Sequence, residues 1–179
     1  MKRLLVLLLI IPSVSFSQNE MDIDTLKFNF SEVVQVDRMN AKTLYSNAKL
    51  FIANAFVSAK NVTQLDDENS NTIVVKGLFT LPLKDLPYGF SYMKNFTTTF
   101  KLQIQTKDNK FKYIMSDFIV KGNAVYDEAD LSSSYKPQKS EINKNAHKKL
   151  WISMKTSAYD FVTVFIGNLK NEMTKKSDF

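Results

Sequence analysis

The sequence predicts an α+β fold, in which an antiparallel sheet of about four or more strands carries two helices packed on one face. Two stretches of the 179-residue chain repeat apolar residues at spacings of three and four, as amphipathic helices do. Four other stretches alternate apolar and polar residues, as half-buried strands do. The predicted order is β-α-β-β-β-α, in a single domain over residues 18–179 that follows a signal peptide over residues 1–17.

The first 17 residues have the layout of a secretory signal peptide. Two cationic residues precede the apolar run Leu4–Ile11, and the small residues Ser15 and Ser17 occupy positions −3 and −1 before Gln18. The alternative is a membrane anchor, but a spanning helix needs about 20 apolar residues. We therefore expect cleavage after Ser17, export to the periplasm, the cell envelope or beyond, and no transmembrane segment in the mature chain.

Composition excludes several kinds of site. The chain has no cysteine, which rules out disulfides, thiolate zinc sites, a cysteine nucleophile and a lipobox anchor. Its single histidine rules out any site with two imidazoles, and its four glycines leave no room for a glycine-rich phosphate-binding loop. The net charge of +6 falls to +4 after cleavage, with 22 Lys and Arg against 18 Asp and Glu. Because the lysines are scattered and the chain is exported, we expect no nucleic-acid partner.

The first strand is predicted over Leu26–Val36, where apolar residues alternate and only Glu32 breaks the pattern. Before it, Gln18–Thr25 is polar and is expected to be frayed. After it, Asn40 is placed to cap a helix with its side-chain oxygen. That helix is predicted from Ala41 to about Ala59.

Three further strands follow. Residues 61–71 are predicted to be a solvated acidic loop, because they lack the ligand spacing of a calcium loop. Strands are predicted over Thr72–Leu81, Phe96–Lys107 and Phe111–Lys121. Gly77 indicates a bulge or a close contact. Asp108 and Asn109 predict a tight turn that joins the last two strands into a hairpin.

The last helix is predicted to begin between Ser140 and Ala146 and to run about 30 residues, long enough to lie across the whole sheet. Residues 122–139 form a predicted long mobile connection before it, and a loop of this length is typically functional or disordered.

The candidate contact surface for a partner or ligand is the aromatic loop over residues 82–95. Its exposed rings would favour binding if they project outward, and would only close one end of the domain if they fold back. The candidate contact residues are Tyr88, Phe90, Tyr92 and Met93.

Two titratable residues are candidates for catalytic groups. His147 lies near the start of the last helix beside lysines, and Asp117 shares the alternation of the inward Tyr113 and Met115. A buried carboxylate could act as a base, but a strand-end Asp with a backbone partner and a solvated His are the simpler interpretations. We therefore predict no catalytic residues, no metal site and no cofactor.

Three stretches in this order resemble a known family: EVVQVDRMNAKTLYSNAKLFIANAF, SAKNVTQLDDENSNTIVVKGLF and LQIQTKDNKFKYIMSDF. The chain resembles, from about Leu26 to Phe118, a secreted Bacteroidetes domain of unknown function with a TBP-like fold. Asn109 stands where that family usually has glycine in the hairpin turn. The resemblance implies an exported module without established activity, so it transfers no site residues. It implies a strand and helix order, and does not imply DNA binding.

These observations predict an exported, non-catalytic interaction or ligand-binding module of the cell envelope. Its partner is expected to be an unknown envelope protein or a small apolar ligand. The alternative is a carrier of an apolar small molecule or lipid in a cavity between the C-terminal helix and the sheet, because 14 Phe and seven Met supply bulky apolar side chains.

Overall fold

The computed structural model describes residues 22–83, 95–121, 128–137 and 143–176. These residues form a two-layer α+β structure. The elements in chain order are β1 (Phe30–Gln35), α1 (Ala41–Ala55), α2 (Ala59–Val62), β2 (Thr63–Asp67), β3 (Thr72–Pro82), β4 (Asn95–Lys107), β5 (Lys110–Lys121), β6 (Glu128–Asp130) and α3 (Lys144–Met173).

The sheet is antiparallel, and its strands lie in the order β1-β5-β4-β3-β2, with β6 also paired to β5. The apolar faces of α1 and α3 pack on one side of it. This confirms the predicted α+β class with two helices on one face. We call the helix-covered side the inner face and the opposite side the outer face.

One apolar core lies between the helices and the inner face. Its fully buried side chains come from every layer and include Phe28, Leu44, Leu81, Phe100, Leu102, Phe118, Met154 and Leu169. Burial of such side chains contributes about 1.5–3 kcal/mol each, which lets the fold hold without disulfides.

The hairpin turn between β4 and β5 fixes the start of α1. Asn40 accepts the Thr43 N–H at 2.8 Å, as predicted for an N-cap. The Asp108 carboxylate accepts the Ala41 N–H at 2.8 Å. Asn109 adopts a φ of 61° and donates its N–H to Met39 O at 2.7 Å. The predicted turn is thus confirmed, and it also satisfies free groups at the helix N-terminus.

The first helix ends at Ala55 rather than near Ala59. Phe56 is extended, with a φ of −123°, and its ring lies beside Gly77 and the Phe100 ring. The chain instead makes the separate short helix α2 before entering β2.

Several sequence predictions need correction. The predicted acidic loop contains the edge strand β2, whose polar residues pair with β3. The first strand covers only Phe30–Gln35 rather than Leu26–Val36. The predicted long connection over 122–139 contains β6. Residues Asp22–Thr25 are not frayed but form a hydrogen-bonded turn.

A bulge in β5 overturns the predicted orientation of Asp117. Thr99 of β4 pairs with Ile119, whereas Lys101 pairs with Ser116, so one extra residue is accommodated on β5. Asp117 takes a φ of 57° there and is exposed. The inward alternation therefore passes from Met115 to Phe118, and Asp117 does not join the core.

Candidate functional site

An open groove lies on the inner layer where the C-terminal halves of α1 and α3 meet the sheet. Its volume is about 680 Å³. Phenylalanine rings supply most of its apolar lining: Phe51, Phe56, Phe79, Phe100, Phe161 and Phe165. We call this feature the phenylalanine groove. It lies between the C-terminal helix and the sheet, where the sequence hypothesis placed a cavity.

Gly77 makes the floor of the phenylalanine groove possible. A Cβ atom at this position would lie 2.4 Å from the Phe100 ring and 2.9 Å from the Phe56 ring. Both distances are far below van der Waals contact, so any larger residue displaces one of the rings. The predicted close contact at Gly77 is confirmed.

Ring-to-ring packing holds the walls of the groove. Phe79 and Phe161 stack face to face, with ring centroids 3.7 Å apart. Phe165 meets Phe51 edge to face at 5.2 Å and Phe100 at 5.4 Å. The edge-to-face pairs add about 0.5–1.5 kcal/mol beyond their buried area. The walls therefore keep their shape without a ligand.

The rim of the groove is polar but has no net charge. Asn54, Asn168 and Asn171 are exposed on it. Glu172 and Lys175 form an ion pair at 2.5 Å, which neutralises both charges locally. Amide groups offer hydrogen bonds without charge. The groove therefore fits a molecule with an apolar body and an uncharged polar end.

Two sets of contacts tie the C-terminal half of α3 down around the groove. The Asn47 amide of α1 donates to Lys175 O at 2.9 Å. On the other side, the Lys170 ammonium donates to the Glu32 carboxylate at 2.6 Å, and the Tyr113 hydroxyl donates to the same carboxylate at 2.9 Å. The hydrogen bond from Lys170, and after it the one from Tyr113, lowers the pKa of Glu32. Burial, and after it the hydrogen bond to Glu32, raises the pKa of Tyr113.

A buried charge closes the side of the N-terminal half of α3 that faces residues 24–26 and Ser133. Lys155 is fully buried, and its ammonium donates to Asp24 O at 2.7 Å, Leu26 O at 2.8 Å and Ser133 O at 3.2 Å. Three carbonyl acceptors satisfy all three donors of an ammonium group. Burial lowers the pKa of Lys155, while the carboxylates of Asp24, Asp22 and Asp130 act in the opposite direction.

The two residues considered as candidate catalysts do not meet. Asp117 lies on the outer face, where it lines a depression over β2, β3, β4 and β5. His147 is half-buried near the start of α3, on the inner layer. The proposed ligand contacts Tyr88, Phe90, Tyr92 and Met93 lie outside the described residues, so the role of the aromatic loop stays a prediction.

Sequence reasoning did not name the residues of the phenylalanine groove as a site. All six rings lie on the predicted core faces of their elements, where a phenylalanine is indistinguishable from ordinary packing. The available signals were Gly77 within an apolar strand and the high phenylalanine content.

Comparison with known families decides the membership of the chain. Residues 30–121 match the family described as a domain of unknown function (DUF4468) with TBP-like fold. This chain belongs to that family. The matched DUF4468 region runs from β1 to the end of β5, and therefore includes α1, the hairpin turn, Gly77 and the β5 bulge. The resemblance noted in the sequence is thus confirmed for family and fold.

Two solved structures share the TBP-like fold. A DUF4468 family protein from Bacteroides ovatus ATCC 8483 is 12% identical, with a TM-score of 0.61 over 89% of this chain and 92% of that one. A TBP-like protein from Parabacteroides distasonis ATCC 8503 is 13% identical, with a TM-score of 0.55 over 80% of this chain and 92% of that one. At these identities the likeness shows the fold alone.

A search of curated proteins gave no match to this chain. Among the helices within residues 22–83, 95–121, 128–137 and 143–176, none combines the length and apolarity needed to cross a bilayer.

Proposed function

We propose that this DUF4468 protein is an exported, non-catalytic binding module of the cell envelope that holds a small apolar ligand in the phenylalanine groove. The observation that carries the proposal is the groove itself, an opening of about 680 Å³ lined by six phenylalanines on a folded scaffold. Small-molecule sites typically measure about 300–1,000 Å³ and combine apolar walls with a few polar groups. The groove has both features.

The chemistry of the rim supports an uncharged ligand. Burying an unpaired charge against phenylalanine rings is costly, and the ion pair of Glu172 and Lys175 leaves no free charge on the described rim to receive one. The side-chain amides of Asn54, Asn168 and Asn171 offer both donors and acceptors at the opening. An aromatic or aliphatic body ending in a hydroxyl, ester or amide group matches this arrangement.

The export part of the proposal is supported by the sequence of residues 1–17, with its cationic start, apolar run and small-residue cleavage site. Cleavage after Ser17 would leave the docked turn Asp22–Thr25 intact, so the mature chain keeps its contacts with Lys155. Mass spectrometry of the protein from its native host tests this directly. A mature N-terminus at Gln18 is expected, and an uncleaved chain in the cytoplasm would contradict export.

The non-catalytic part is supported by the separation of the titratable candidates. Asp117 lies on the outer face of the sheet and His147 belongs to the helix layer on the inner face. The groove itself offers amides and one neutralised ion pair. General acid–base work needs a titratable group within hydrogen-bond reach of the reacting atoms.

The binding experiment uses N-phenyl-1-naphthylamine, an uncharged apolar dye whose fluorescence rises in apolar surroundings. We expect saturable binding to the mature chain. Ala55→Trp places an indole at the groove opening. It should weaken the binding of the dye by roughly tenfold or more, because the indole occupies the space of the ligand.

Ala53→Trp is the matched control. Ala53 is exposed on the same helix two residues earlier and does not line the groove. The Ala53→Trp variant should bind the dye with the same affinity as the wild type. Equal dye affinity in both variants and the wild type would refute the groove as the binding site, provided that both variants melt as cooperatively as the parent.

A further inference from the structure

The outer face carries a second concave feature, which is separate from the phenylalanine groove. A depression of about 580 Å³ lies over β2, β3, β4 and β5. Both of its flanking strands are irregular. The β2 register shifts between Thr63 and Leu65, and β5 carries the bulge at Asp117. Bulges bend strands and increase local twist, which makes this part of the sheet concave. We call it the outer depression.

Two lysines face each other directly in the outer depression. Lys76 of β3 and Lys101 of β4 are cross-strand partners, and both side chains point to the outer face. Like charges at directly opposite positions destabilise a sheet. Neither lysine has a carboxylate within ion-pair distance among the described residues. This unfavourable pair is the kind of feature that an anionic ligand would relieve.

The remaining charges of the outer depression leave it with a single positive excess. Lys121 is paired with Glu128 at 2.6 Å and is therefore neutralised. Asp117 also lines the outer depression, and Lys76 lies close enough to Glu128 to help lower the pKa of that carboxyl. Three lysines against two carboxylates give a net charge of +1. That balance fits one negative charge better than a polyanion.

Apolar side chains form the other walls of the outer depression. Leu65, Val74 and Ile119 line it, and Leu65 is 46% exposed. Leu65 and Val74 are cross-strand partners, and Val74 lies two residues from Lys76 on the same face. An apolar strip therefore leads up to the lysine pair. A simple inorganic anion would contact the lysines and leave this strip bare.

We infer that the outer depression binds an organic monocarboxylate with an apolar body. The carboxylate lies between Lys76 and Lys101 and accepts a charge-assisted hydrogen bond from each ammonium. The apolar body covers Leu65 and Val74, which lie one step along the sheet from the lysine pair, and removes them from water. This site goes beyond the proposed function, because it lies on the other face of the sheet and selects a charged ligand.

Octanoate is the probe, and NMR titration of the mature chain gives its affinity and location. We expect the largest amide shifts in β2, β3 and β4 around the lysine pair. 1-Octanol, which has the same chain without the charge, should bind the outer depression at least roughly tenfold more weakly. Acetate, which has the charge without the chain, should also bind more weakly.

The double variant Lys76→Gln with Lys101→Gln should lose octanoate affinity by roughly tenfold or more. Its melting temperature should stay equal or rise, because a repulsive pair has been removed. Lys112→Gln is the control, since Lys112 is an exposed outer-face lysine that does not line the outer depression. It should keep the parental affinity.

Three outcomes would overturn the inference. The first is unchanged octanoate affinity in the double variant. The second is equal affinity for octanoate and 1-octanol at the outer depression. The third is loss of the octanoate shifts in Ala55→Trp, which would place the ligand in the phenylalanine groove. Retention of octanoate by Ala55→Trp separates this site from the proposed function, so either can fail alone.

Discussion

The two halves of α3 contrast in how the chain packs around Lys155 and around Phe161 and Phe165. Around Lys155 the interface is closed, because Met154 and Ala158 are fully buried and the ammonium binds three backbone carbonyls. In the C-terminal half, the Phe161 and Phe165 rings line the open phenylalanine groove, while Leu169 and Met173 are fully buried beside it. A charged side chain can seal an interface when backbone acceptors meet it. The phenylalanine rings of α1, α3 and the sheet pack against one another without filling all the space between them, which leaves the groove.

The largest expected effect comes from breaking the closed half. Lys155→Met keeps the length and apolar stem of the side chain but leaves the carbonyls of Asp24, Leu26 and Ser133 without this donor. Removing the partner of buried polar groups is strongly destabilising. We expect a loss of about 3 kcal/mol in the free energy of unfolding, measured by urea denaturation.

Lys148→Met is the matched control for that variant. Lys148 is an exposed lysine of the same helix and also reaches Asp24, at 3.8 Å. An exposed ion pair of this kind contributes at most about 1 kcal/mol. Equal destabilisation by the two variants would mean that the buried contacts of Lys155 do not close this half.

The next largest effect falls on the open half. Gly77→Ala forces a methyl group against the Phe100 and Phe56 rings, since a Cβ atom there would lie 2.4 and 2.9 Å from them. Overpacking of this kind costs about 1–3 kcal/mol. We expect a lower melting temperature and weaker binding of the apolar dye, because the floor of the groove must shift.

Gly167→Ala is the counterpart within α3. A Cβ atom there meets no heavy atom within 4 Å among the described residues, and the residue is in a helix. Alanine should therefore stabilise the protein by up to about 1 kcal/mol through its higher helix propensity. If both glycine variants shift the melting temperature in the same direction, the close contact at Gly77 is not the cause of its effect.

The smallest effect concerns the ion pair that holds the open half to the sheet. The bonds from Lys170 and Tyr113 lower the pKa of Glu32 in the folded protein. A carboxyl pKa that is lower in the folded than in the unfolded protein stabilises the fold at pH values above the unfolded-state pKa of about 4.3. This stabilisation is lost as the pH falls through the folded-state pKa. Because both partners are partly exposed, the gain is at most about 1 kcal/mol.

Glu32→Gln tests this by stability measurements across acidic pH. The variant should be slightly less stable than the wild type at neutral pH, and the difference should vanish once the wild-type carboxyl is protonated. A difference that stays constant from neutral to strongly acidic pH would show that the carboxylate charge is not involved.

Much of the fold could be predicted because its signals are local. The Asn40 cap, the turn at Asp108 and Asn109, and the apolar faces of both long helices depend on neighbouring residues. Each is confirmed by the structure. The α+β order followed from these elements, since amphipathic helices bury their apolar stripes against a sheet.

The errors concern features that depend on distant partners. β2 is a polar edge strand, so its sequence has no apolar alternation to reveal it. The bulge at Asp117 changes which of the last residues of β5 point to the inner face. The sequence around Asp117 contains no signal that predicts the bulge. The sequence analysis did not single out Lys155, because the carbonyls of Asp24 and Ser133 that accept from its ammonium come from distant parts of the chain.

The phenylalanine groove falls between these two cases. The phenylalanine content suggested a cavity between the C-terminal helix and the sheet, which is where the groove lies. Which rings line it could not be predicted, because that depends on the end of α1 at Ala55 and on the extended Phe56.

The most direct test of the central claim is to locate the apolar ligand by intermolecular nuclear Overhauser effects. With N-phenyl-1-naphthylamine bound to the mature chain, we expect contacts from the dye to the Phe56 and Phe161 rings and to the Ala55 methyl group. Dye contacts confined to residues away from the groove, or saturating dye without any contact to these three residues, would contradict the account.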